Sequence, residues 1–153
     1  MTTAQNTQVR VKGDSLPYPI LTDGTGDINA GDMVYWVSGS AALKAVGSDA
    51  NAAFFAGIAK DTSFLNITGT KKYLPQMEVL SGGIFALKTT NAETYNHGTP
   101  LYAGADAQTI TTVAGSNIVG YAWLRPGQGA VTGAAGVTID VLIAPKFPAV
   151  GVN

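Results

Sequence analysis

Apolar residues in this chain recur with a period of two, in short runs that glycine, proline, asparagine or aspartate brings to an end. In "GVTIDVLIAP", Val137, Ile139, Val141 and Ile143 fall on one face while Thr138 and Asp140 fall on the other, as a half-buried strand requires. Comparable runs at Met33 to Val37, Phe54 to Lys60, Glu78 to Lys88 with a break at Gly82-Gly83, Pro100 to Ala103 and Asn117 to Leu124 predict further strands. One segment reads as helical, Ser48 to Ala53, a single turn with Ser48 as its N-cap. The expected fold is all-β, a compact β-barrel or β-tulip-like domain with little helix.

The runs also come in a repeating order. "GDMVYWVSGSAALKAV" from Gly31 lies over "GTPLYAGADAQTITTV" from Gly98 at one offset of 67 positions, matching Val34 with Leu101, Tyr35 with Tyr102, Leu43 with Ile110 and Val46 with Val113. "FAGIA" follows the first copy and "IVGYA" the second. Each unit is a strand, a turn, a short return strand and a strand whose central Gly57 or Gly120 leaves room for a neighbouring backbone or ring. Two explanations stand side by side: internal duplication, over 31–61 and 98–126, or coincidence in a chain with 19 glycines. The domain organisation read from this is an extended N-terminal arm at 1–27, one β domain at 28–145 and a C-terminal tail at 146–153.

The repeat bears on "HGTPLYAGAD", which holds the chain's one histidine, His97, and Asp106. Their counterparts in the first copy are Ala30 and Gly39, so the motif requires neither side chain. No G-x-S-x-G elbow supplies a nucleophile. "DGTGDINAGD" at Asp23 to Asp32 lacks the closing glutamate of a calcium loop. "GTG" at Gly24 to Gly26 lacks the strand and helix that a phosphate cradle needs. With no cysteine there is no thiol chemistry and no zinc ribbon. The chain is therefore expected to be no enzyme, with no catalytic residues, no metal and no cofactor.

Composition narrows the partners. Charged residues make up 12% of the chain, against roughly 25% in an average soluble protein, and the net charge is -1. A clustered basic stripe for nucleic acid is missing, the densest group being Lys71-Lys72. No apolar run approaches the ~20 residues of a membrane span, and the amino end has no signal-peptide core, so the expectation is no nucleic acid, no membrane and synthesis in a cytoplasm. A surface this neutral suits a protein packed into an assembly.

Two groups of residues are candidate contacts. In the N-terminal arm, Gln8, Val9, Arg10, Val11 and Lys12 alternate, so the segment can add as a strand to a partner's sheet or pair within its own subunit. Among the aromatics, Tyr35, Trp36, Tyr121 and Trp123 are assigned to the core or a subunit interface. Tyr35 and Trp36, being adjacent, point to opposite faces. An exposed aromatic platform would instead stack on sugar rings, which makes a carbohydrate-binding or other adhesion module of a phage or bacterial surface the alternative.

"AGDMVYW", "FAGIAKD", "VLSGGIFALK", "GTPLYAGADAQTIT", "IVGYAW" and "GVTIDVLIAP", in that order over Asn29 to Pro145, resemble the head decoration, or cement, proteins of tailed bacteriophages. The resemblance implies a homotrimer on the outer surface of the virion, bound at three-fold and local three-fold sites of an expanded head. There it would reinforce the joints between major capsid protein subunits. It transfers no contact residues.

Overall fold

The structure, a computed structural model, describes residues 7–8, 15–19, 27–37, 43–45, 52–90, 92–115, 117–133 and 137–145. The strands of the first half are β1 (Thr7–Gln8), β2 (Ser15–Pro19), β3 (Met33–Val37), β4 (Leu43–Lys44), β5 (Ala52–Ala59), β6 (Phe64–Ile67), β7 (Thr70–Tyr73) and β8 (Gln76–Leu80). Those of the second are β9 (Ile84–Thr89), β10 (Glu93–Tyr95), β11 (Pro100–Ala103), β12 (Thr109–Thr111), β13 (Ile118–Ala122), β14 (Val131–Gly133) and β15 (Thr138–Ile143). The protein is all-β, with no helix among the described residues.

Two sheets carry the same strand order. The first runs β2-β8-β5-β3-β4, and the second runs β9-β15-β13-β11-β12 with β1 alongside β9. In the second, β12 also pairs with β9 in parallel, Thr109 opposite Lys88 and Ile110 opposite Thr89, so the sheet closes into a five-stranded barrel. Hairpin β6–β7 and ribbon β10–β14 lie outside these sheets.

The correspondence extends to individual registers. Val34 faces Gly57 and Tyr35 faces Phe55, leaving Ala56 as the extra residue of a bulge. Leu101 faces Gly120 and Tyr102 faces Ile118, leaving Val119 in the same role. The glycines are required by the next strand. A Cβ on Gly57 would run into the carbonyl oxygen of Leu80, and one on Gly120 into that of Leu142. Gly57 also has φ 145, outside the range of ordinary side chains. The room these glycines make is filled in both cases by a neighbouring backbone.

Alternation assigns the side chains. Val34, Trp36, Leu43, Ala56, Met77 and Val79 form one core with Ile28. Their barrel counterparts Leu101, Ile110, Val119, Ile139 and Val141 form the other, with Phe85 and Leu87. The opposite face of the first sheet, Met33, Tyr35, Phe55 and Ile58, joins the barrel's cluster. The first sheet is thus buried on both sides, and Tyr35 and Trp36 lie in different cores although they are neighbours.

Two expectations are corrected. Ala52 and Ala53 open β5 instead of ending a helix: Ala52 is the register partner of Val37, and sheet pairing overrides the weak local preference of alanine. Ser48 to Asn51 lie outside the described residues. The 1–27 segment is not simply an arm that leaves the domain, because β2 pairs with β8 along its whole length and β1 pairs with Phe85 and Ala86 of β9. Pro17 and Pro19 are tolerated in β2 because it is an edge strand, where alternate N–H positions need no partner. The 146–153 tail lies outside the described residues.

Candidate functional site

The strongest surface feature is a row of apolar side chains across the outer face of the barrel. Pro100 is the register partner of Tyr121, and Tyr121 of Leu142. All three are exposed, Tyr121 to 39% and Leu142 to 36%. Trp123, one residue past the end of β13, is also 39% exposed. The row ends inward at Ile84, the partner of Leu142, which is buried.

The equivalent row in the first sheet is Met33, Ile58 and Leu80, joined by the same pairings. There Met33 and Ile58 are fully buried and Leu80 is half-buried against the barrel's cluster. One face of one architecture is therefore covered in the first sheet and left open in the second. Contiguous exposed apolar faces are a common feature of sites of contact.

Beside this row Trp123 is held by specific partners. Its ring meets His97 edge-on, with centroids 5.0 Å apart and planes at 60°. His97 is fixed in turn by accepting the Leu124 N–H at Nδ1, 3.0 Å away. Asp106 accepts the Gln108 N–H at 2.8 Å within its own turn, a turn role that its composition favours. His97 and Asp106 thus have separate structural tasks.

A second exposed surface lies on hairpin β6–β7. Phe64 and Tyr73 stack edge to face, Lys71 sits 4.7 Å over the Phe64 ring, and Asp27 receives hydrogen bonds from Lys71 and from the Tyr73 hydroxyl. Burial would push the Asp27 carboxyl up, but these two donors and the lysine charge hold it below the usual carboxylate range. Leu65 and Ile67 point the other way and are exposed.

Of the residues singled out in the sequence, Tyr121 and Trp123 are exposed on the barrel, while Tyr35 and Trp36 are interior. Gln8 belongs to β1, paired within its own chain, and Val9, Arg10, Val11 and Lys12 lie outside the described residues. Pro100 and Leu142 were not singled out. Leu142 left a signal, for it breaks the polar alternation of Thr138 and Asp140 on the outer side of β15. Comparison with known protein families and with curated proteins returns no match for the chain.

Proposed function

We propose that this chain is a structural virion protein of a tailed bacteriophage, a head decoration protein that binds the outer surface of the expanded capsid as a homotrimer. Its sites would be the three-fold and local three-fold positions, and its partners the major capsid protein and its own copies. One observation carries the reading: the barrel leaves open the uncharged row Pro100, Tyr121 and Leu142, whose counterpart in the first sheet is covered within the chain. Low net charge supports it, because neutral faces approach one another across a symmetry axis without like-charge repulsion. A trimer held at three points also needs only a modest patch per subunit, since linked contacts gain an effective-concentration advantage of order 10² or more.

The experiment is a mass measurement in solution followed by co-sedimentation with expanded phage capsids. The expected result is a trimer that decorates them, and a Tyr121→Glu, Leu142→Glu double variant that stays folded, becomes monomeric and no longer binds. A monomeric wild-type protein, or a trimer that ignores expanded capsids, overturns the proposal.

A further inference from the structure

Trp123 lines two clefts. One, of about 340 Å³, is lined by His97, Trp123 and the turn from Leu124 to Gln128. The other, of about 390 Å³, is lined by Trp123, Arg125 and Gln128 together with Thr138 and Asp140 of β15 and Val131 of β14. Trp123, 39% exposed, is common to both clefts together with Leu124, Arg125 and Gln128, and polar side chains line each of them.

Two of those side chains, Gln128 and His97, are held in place. Arg125-Pro126-Gly127-Gln128 is a type II turn, with Pro at its second position, φ 80 at Gly127, and the Gln128 N–H donating to the Arg125 carbonyl at 2.9 Å. The Gln128 side-chain oxygen accepts the Arg125 N–H at 3.0 Å, which leaves its NH₂ as a donor. A histidine that accepts at Nδ1, as His97 does from Leu124, carries its proton on Nε2 and offers a donor there. The Trp123 backbone N–H donates to the Asp140 backbone carbonyl at 2.8 Å, which sets the two main chains side by side.

From this geometry we infer that the cleft between Trp123, the 125–128 turn and β15 is a binding site for a neutral saccharide. The C–H face of a pyranose packs on the indole. Its hydroxyls, each both donor and acceptor, match a rim that mixes a guanidinium, an amide NH₂, a hydroxyl and a carboxylate, from Arg125, Gln128, Thr138 and Asp140. A phosphorylated or carboxylated ligand fits less well, because Asp140 would face its charge. The inference does not rest on the virion reading, because the cleft is built from Trp123, Arg125, Gln128, Thr138 and Asp140 and not from the row Pro100, Tyr121 and Leu142.

The test uses the full chain in its native oligomeric state, titrated with the methyl glycosides of glucose, galactose and mannose and with N-acetylglucosamine. The Trp123 indole N–H resonance is followed by NMR, and the buried Trp36 resonance serves as the internal reference. At least one sugar is expected to move the Trp123 signal saturably, with half-saturation at about 1–10 mM, as befits a single small-ligand subsite, while Trp36 stays still. By calorimetry, Trp123→Ala should abolish binding of that sugar. Gln128→Glu, which keeps the acceptor for Arg125 but removes the NH₂, and Asp140→Asn should each weaken it about 5-fold or more, with both variants folded. No saturable shift with any of the four sugars, an equal shift with glycerol, or wild-type affinity in both rim variants overturns the inference.

Discussion

The Asp32 carboxylate accepts a hydrogen bond from the Gln108 side-chain amide at 2.8 Å, and both residues are buried. This bond joins the first sheet to the barrel, beside a backbone bond from the Met33 N–H to the Ala107 carbonyl. The other Asp32 oxygen accepts the Asn29 N–H at 2.9 Å. The Gln108 oxygen, also buried, has no hydrogen-bond partner among the described residues. The junction between the two sheets is therefore a place where charge and hydrogen bonding are incompletely balanced.

Burial pushes the Asp32 carboxyl above its ordinary value of 3.8, against the bonds from Asn29 and Gln108 that favour the ionised form. A carboxyl raised in the folded state contributes stability that is complete below its unfolded value and is lost as pH rises through the folded one. Asp32→Asn removes that dependence, and its new NH₂ can donate to the Gln108 oxygen once that amide turns over. In thermal melts, the variant should match or exceed the wild type at pH 7 and lose its advantage as pH falls towards 3.8. Gln108→Leu, which strips a donor from a buried carboxylate, should cost about 1–3 kcal/mol at pH 7.

The equivalent glycines give a matched pair of tests. Gly57→Ala and Gly120→Ala each drive a methyl into a carbonyl of the adjoining strand, so each should cost about 3 kcal/mol in denaturant titrations. Gly127→Ala meets open space but keeps φ 80, and should cost about 1–2 kcal/mol. Gly82→Ala meets open space at an ordinary φ, so it should be neutral or stabilising by up to about 1 kcal/mol. Equal effects at Gly57 and Gly82 would contradict the packing argument.

Much of this architecture was legible because alternation and glycine spacing report local physics. Met33–Val37 and Pro100–Ala103 emerge as strands at the bounds read from sequence, and the 67-residue offset that aligns Tyr35 with Tyr102 also aligns their bulges. What escaped was set by tertiary contact. The prolines of β2 mask a strand that only its edge position permits. Tyr35 and Tyr121 are both aromatics in strands, yet one is interior and the other exposed, because the first sheet is covered on both faces and the barrel is not. The Trp123 clefts draw on His97, Arg125, Gln128 and Asp140, which are scattered in sequence and share no motif.

Glu93 should give a pH response of the opposite sign to Asp32. Burial would raise its pKa, but bonds from the Thr112 N–H at 2.9 Å, the Thr111 hydroxyl at 2.7 Å and the Tyr95 hydroxyl at 2.9 Å hold it below the usual range. In the same arrangement burial, and then the Glu93 charge, push the Tyr95 phenol up to about 12. A depressed carboxyl contributes stability above its unfolded value and loses it as pH falls through the folded one. Glu93→Gln should therefore be less stable than the wild type at pH 7, with the difference shrinking on acidification below the ordinary value of 4.5. A difference that stays constant from pH 7 to pH 3 would show that the carboxylate charge contributes nothing.

The two tryptophans should separate in a quenching experiment. Trp36 is 7% exposed in the core of the first sheet, whereas Trp123 is 39% exposed on the barrel. Neither environment is an average of the other, so titration with acrylamide should give two emitting populations, an accessible red-shifted one and a shielded blue-shifted one. Trp123→Phe should leave the shielded population, and Trp36→Phe, a smaller ring in a packed core, the accessible one. A single emitting population in the wild type, quenched along one straight line, would contradict this separation.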